Sequence, residues 1–247
     1  MHPATVAARD RAYWLCRISR RLLAALGPQG WWPARSRFEI VVGAVLAWNT
    51  AWVNVEQALA TLRAAQRLSY ARLAALPEAR LAQHLNPSGY YNTKARRLKA
   101  LLAFLRARIG PSLLRLRRQD PSHLREALLG VHGIGPGTAD TILLSAAGAP
   151  VFVVDGHTRR IFSRHRLVAA NAPYETVQAA FMRALPRDAA LYNEYHGLIV
   201  DTAKRYCRTM PRCETCPRRA DLEAAGIPWP PRVVGHPLTR PPRFAID

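Results

Sequence analysis

The chain has 247 residues, 49% of them hydrophobic, enough to bury a substantial core in one large domain or two small ones. Its net charge is +20, and only Lys94, Lys99 and Lys204 among the 36 basic residues are lysines; such an arginine excess favours bidentate phosphate contacts and a polyanionic partner. No run of about eighteen apolar residues occurs, and arginines stand where a signal peptide needs an apolar stretch, so a soluble, cytoplasmic protein is the expectation.

Nearly every periodic segment has the helical period, and the one strand-like run, Pro150 to Val154, is too short to build a sheet, so an all-α fold is expected. From the N-terminus, a Gly30-Trp31-Trp32-Pro33 loop precedes a capping-box pattern, Ser36 with Glu39, that opens an apolar helix through Trp48. Asn49-Thr50-Ala51-Trp52 closes that helix, and a basic helix follows Gly89-Tyr90-Tyr91. Asp120-Pro121 marks a further helix start, and Gly130 ends that helix. In His132-Gly133-Ile134-Gly135-Pro136-Gly137 the glycines permit positive φ and close backbone approach, so the amides opening the next helix, at Gly137 and Thr138, can point at a phosphate without reading sequence. A short apolar helix and an apolar run then end in a single carboxylate, Asp155, which is a candidate catalytic group and equally a candidate cap for the helix beginning near Thr158. Three of the four cysteines cluster as Cys207-x5-Cys213-x2-Cys216, a pattern that points to metal or iron–sulfur ligation rather than a secreted disulfide framework. From Gly226 the sequence is proline-rich, basic and aperiodic, and reads as an extended tail.

The stretch Val131 to Thr158 closely resembles the helix-hairpin-helix plus Gly/Pro-Asp region of the endonuclease III superfamily of base-excision DNA glycosylases, and the resemblance runs from about Ser36 to the last cysteines. The Trp-Trp-Pro loop, the Asn-Thr-x-aromatic segment and Phe-Val-Val-Asp before Thr-Arg-Arg are similar to its 3-methyladenine DNA glycosylase III branch. The resemblance implies a two-domain fold with a C-terminal cysteine-rich loop: a six-helix barrel over 35–148, a second helical domain from 1–34 and 149–225, and the tail, 226–247. It implies a nucleoid-associated monomer acting on double-stranded DNA that contains damaged bases, with Asp155 catalytic and Gly133, Ile134, Gly135, Gly137 and Thr138 on the backbone. Trp31, Trp32, Trp52 and His196 are base-pocket candidates, with packing in the core as the alternative. Asn49 would fill the gap left by an extruded base, or Trp48 beside it would be the wedge.

Against the family's GVGRKTA pattern this chain reads GIGPGTA, so Gly137 stands where bifunctional members carry the lysine that attacks the sugar. The expectation is a monofunctional glycosylase acting on alkylated purines, whose delocalised positive charge suits indole faces. The alternatives are an endonuclease III-like lyase on oxidised pyrimidines, cutting through Lys204 or the N-terminal amine, and a noncatalytic binder of damaged DNA. Relatives holding a 4Fe–4S cluster show C-x6-C-x2-C-x5-C, whereas here the first gap is one residue shorter and Leu222 replaces the fourth cysteine. A cluster completed by Asp221, Glu223 or His236, a site completed by Cys16, a zinc site and a vestigial loop all remain open.

Overall fold

In the computed structural model residues 8–110 and 112–224 are described, and among them there is no strand and no helix long and apolar enough to cross a membrane. The run Pro150 to Val154 forms no regular secondary structure, because a lone short strand has no ladder partner. Helix α1 (Ala8–Leu26) is followed by the Trp-Trp-Pro loop and α2 (Arg37–Leu46), whose apolar surface goes nearly all round; such a helix belongs inside a core. Ser36 caps α2 by accepting from Glu39 N at 3.2 Å, but the reciprocal half of the capping box is lost, since the Glu39 carboxylate takes Arg63 at 2.6 Å instead.

Helices α3 (Trp52–Ala64) and α6 (Tyr91–Arg108) pack against α2, with α5 (Glu78–Leu85) on α3 and α6 and α4 (Tyr70–Ala75) on α6. On α6 the buried face Lys94, Ala95, Leu98, Leu101, Leu102 and Leu105 recurs at three- and four-residue spacing. The hairpin is α7 (Pro121–Leu129), capped by Asp120 through Ser122 N at 3.0 Å and His123 N at 2.9 Å, then α8 (Pro136–Thr141), which continues as a wider π turn over Ile142–Ala147. Helices α9 (Gly156–Arg164), α10 (Tyr174–Ala184) and α11 (Ala189–Arg205) follow, and α12 (Arg219–Ala224) ends the described chain.

Two hydrophobic cores result. One gathers Phe38 to Ala149 around α2; the other gathers Leu15, Ile18 and Leu22 of α1 with Leu144 and residues from Phe152 to Cys207. The N-terminal helix therefore packs on the C-terminal half of the chain, against α10 and α11. The segment carrying Asp155 leaves the π turn between the two cores.

Candidate functional site

The hairpin takes its shape from one glycine above all. Gly133 has φ +76°, in the left-handed region, and a Cβ there would stand 2.7 Å from Arg97 Nε. Gly135 and Gly137 have ordinary φ, so the expected positive φ is confined to Gly133. The Ile134 side chain is buried in the first core and only its backbone can serve a ligand, while His132, Gly133 and Gly135 are exposed. At Gly137 the nearest obstruction to a Cβ is the Val154 carbonyl at 4.0 Å, so this first-turn position of α8 looks toward the segment that ends in Asp155.

Asp155 caps α9: its Oδ1 accepts from Thr158 N at 2.7 Å and Thr158 Oγ1 at 2.8 Å. Both bonds fall on one oxygen, which leaves Oδ2 for another partner. Burial disfavours the charge, but the opposing influence of His196 and His157, with the two Thr158 bonds, holds the carboxyl below the ordinary aspartate range. His157 is held neutral to lower pH than usual, first by burial; Arg160 Nη2 lies 3.1 Å from its Nδ1.

Trp31, Trp32 and Trp52 come together. Their ring centroids are 5.5, 5.8 and 5.0 Å apart for the pairs 31–32, 31–52 and 32–52, and His196 lies 5.9 Å from Trp31. The three indoles are half-buried, so they are neither fully core nor fully open, and His196 is buried. The Trp31 and Trp32 indole N–H groups and His196 Nδ1 are buried without a hydrogen-bond partner, whereas Trp52 Nε1 donates to Glu56 at 2.7 Å. Three residues not singled out from the sequence build this arrangement. Gly43 of α2 and Gly197 of α11 are seats: a Cβ on Gly43 would meet the Trp32 ring at 3.3 Å, and one on Gly197 would meet Trp31 Cβ at 2.9 Å. Glu194 of α11 accepts from Gln29 N and, at 3.3 Å, from Gly30 N, latching the loop to the second core.

Asn49 and Trp48 sit on a solvent-facing turn. Asn49 is exposed with φ +47°, a conformation asparagine tolerates better than most residues. Trp48 is stacked by Arg97 at 4.3 Å and meets Tyr90, itself 60% exposed, at 5.8 Å. Lys94, wholly buried, ties the two turns by donating to Thr50 Oγ1 and to the Ser88 carbonyl at 2.6 Å; burial and then Arg97 push its pKa down to about 8. Tyr90 is a second exposed aromatic that sequence reasoning passed over; its signal was the Gly-Tyr-Tyr before α6.

The cysteine loop does not fit a metal cluster as it is arranged. Among the described residues no three His, Cys, Asp or Glu side chains are grouped to hold a metal ion. The candidate completing ligands are engaged elsewhere: Cys16 donates to the Ala184 carbonyl at 3.1 Å, Glu223 takes Arg219 at 3.0 Å, and Asp221 takes Arg17 at 3.2 Å and Arg21 at 2.9 Å. His236 and the tail lie outside the described residues. A fully buried arginine, Arg218, occupies the loop, 5.4 Å over the Phe162 ring and 3.9 Å from Asp221. Burial, then the neighbouring thiols, push the Cys213 thiol up to about 11. An ionic cage around Asp221 thus fixes this loop, with Arg164 and Arg160 pinning the carbonyls of Arg208, Thr209 and Cys207 at 2.6–3.0 Å.

Residues 42–187 match the HhH-GPD superfamily base excision DNA repair protein family. A protein of Methanocaldococcus jannaschii described as a DNA repair glycosylase is 40% identical over 202 residues, 81% of this chain and 92% of its own. Endonuclease III of Thermotoga maritima is 31% identical over 72% of this chain and 79% of its own. The structure of H. pylori 3-methyladenine DNA glycosylase (MagIII) bound to 1,N6-ethenoadenine superposes with a TM-score of 0.67 at 28% identity, covering 81% of this chain and 98% of that one. The chain therefore belongs to the HhH-GPD superfamily of base excision DNA repair proteins.

Proposed function

We propose that this protein is a monofunctional DNA glycosylase that removes alkylated purines such as 3-methyladenine from duplex DNA. The observation carrying the reading is the pairing of an anionic Asp155 with Gly137: the carboxylate is held charged while the position facing its segment has no side chain to attack the sugar. In this reading the hairpin backbone from Gly133 to Thr138 seats on the phosphates, and Asn49 with Trp48 and Tyr90 enters the stack. The extruded base reaches the Trp31, Trp32 and Trp52 cluster, where Trp32 meets the other two rings edge-on and Trp31 and Trp52 are tilted to each other, so the rings must part to admit it. Water adds to C1′ of the deoxyribose as the C1′–N bond breaks, and the base leaves with the bonding electrons. Asp155 stabilises the positive charge that develops on the sugar and accepts or orients the water proton. A cationic purine is already a good leaving group, and facing indoles favour its charge.

Two of the three lysines are committed to carbonyl oxygens, Lys94 to Ser88 and Lys99 to Ala74 and Leu76, which weighs against an imine from either. The similarity to 3-methyladenine DNA glycosylase supports the substrate class; the similarity to endonuclease III keeps oxidised pyrimidines as the second reading. The two cores support a division near Arg35 and Gly148, and the protein is taken to act as a monomer. The test is base release from duplexes carrying methylated purines or oxidised pyrimidines, with strand breaks scored before and after alkali and adducts trapped with borohydride. Methylpurine release with breaks only after alkali supports the proposal. Breaks before alkali with a trapped adduct would establish the lyase instead, and tight binding with no release would leave a noncatalytic binder.

A further inference from the structure

Behind the carboxylate lies a buried polar hub. Asp140, three residues after Gly137 on α8, is fully buried. It accepts both arms of Arg125 from α7, at 2.7 and 3.1 Å, and the amide of Gln178 from α10 at 2.7 Å. The same Gln178 nitrogen donates to the Phe152 carbonyl at 2.7 Å. Tyr174 of α10 stands near enough to Asp140 to feel its charge, and its hydroxyl oxygen accepts from Val154 N at 3.3 Å. Phe152 and Val154 are alternate residues of the apolar run, and the next residue is Asp155. One carboxylate therefore joins both hairpin helices to α10 and, through α10, to the backbone that leads into Asp155.

Burying an ionised carboxylate is expensive, and an apolar cluster of equal volume would stabilise the junction as well or better. What a satisfied polar network adds is direction: each bond fixes an angle as well as a contact. We propose that Asp140 is a positioning residue, locking the hairpin and the Phe152–Asp155 segment into one unit so that the hairpin's seat on the DNA backbone sets where the Asp155 carboxylate stands. This rests on the glycosylase reading. Displacements of about 1 Å in such a unit cost up to about 100-fold in rate while leaving phosphate contacts intact.

The experiment compares wild type with Asp140→Asn and Gln178→Leu, the second of which keeps the Arg125–Asp140 pair and the Tyr174 contact and removes only the Gln178 bridge from Asp140 to the Phe152 carbonyl. Single-turnover base release and equilibrium affinity are measured on the same methylpurine duplex. In parallel, amide hydrogen exchange is followed over 132–139 and 152–157 with and without DNA. Both variants are expected to lose at least about 10-fold in release rate with affinity within about 3-fold. DNA should protect 152–157 in the wild type, and in the variants only the hairpin should stay protected. Unchanged rates, or rate and affinity falling in step, would overturn the proposal, as would undiminished protection of 152–157 in both variants. If wild type releases no base from any duplex, the glycosylase reading fails and the exchange measurement alone decides whether Asp140 couples the hairpin to the Asp155 segment.

Discussion

Asp155 holds two positions at once, helix cap and candidate catalytic carboxylate, and two substitutions separate them. Asparagine at 155 keeps an amide oxygen where Oδ1 accepts Thr158 N at 2.7 Å and Thr158 Oγ1 at 2.8 Å, and asparagine caps about as well as aspartate. Asp155→Asn should therefore leave the fold within a few tenths of a kcal/mol of wild type. Asp155→Ala removes the acceptor and leaves the first-turn amide of α9 unsatisfied, at a cost of about 1 kcal/mol. In a chain of this length that lowers Tm by about 2–4 °C. Catalysis divides differently, because only the charge stabilises an oxocarbenium-like sugar and neither variant carries it; both should lose about 100- to 10,000-fold in single-turnover release. Thermal unfolding followed by circular dichroism, run beside release of methylated purine from a duplex, reads both quantities on the same preparations. Release by Asp155→Asn within about 3-fold of wild type would reduce Asp155 to a cap and remove the chemical basis of the proposed function.

Other substitutions test neighbouring steps. Gly137→Lys places an amine in open space on the side facing the Val154 carbonyl, and should create a borohydride-trappable adduct and strand breaks before alkali where the wild type gives neither. Because the Asp155 carboxyl is held below its ordinary range, the acid limb of the release rate should fall below pH ~3.9, with no Asp155-dependent inflection between pH 5 and 8. The sign for stability is the same: the stabilisation is complete above the unfolded value and is lost as pH falls through the depressed one; an inflection near pH 6 that vanishes in Asp155→Asn would contradict it. Asp221→Ala uncages a buried arginine and should destabilise the fold by about 3 kcal/mol or more, whereas Cys213→Ser should cost much less, and adding iron and sulfide should leave the Tm of the wild type unmoved. Trp48→Ala and Tyr90→Ala expose no core and should weaken binding to lesion-bearing duplex at unchanged Tm, as read by fluorescence anisotropy and thermal unfolding.

What the sequence determined by itself is what near neighbours along the chain determine. The hairpin spacing, the Asp120 cap with Pro121 behind it, the absence of a lysine at Gly137 and the apolar run ending in Asp155 are all written within a few residues, and helical periodicity declares itself over a few turns. The tertiary structure decided everything that depends on distant partners. It turned the Ile134 side chain into the core, and it gave Glu39 to Arg63 rather than to its own cap. Glu194 reached 165 residues back to latch the tryptophan loop, and Gly43 and Gly197 proved to be seats for indoles from another segment. Asp221 turned from a candidate ligand into the centre of an arginine cage built largely from α1. Asp140 carries no local signature, because a carboxylate inside a helix looks the same in sequence whether it meets water or three buried donors. Local geometry is encoded in short patterns, while burial and pairing belong to the packed chain.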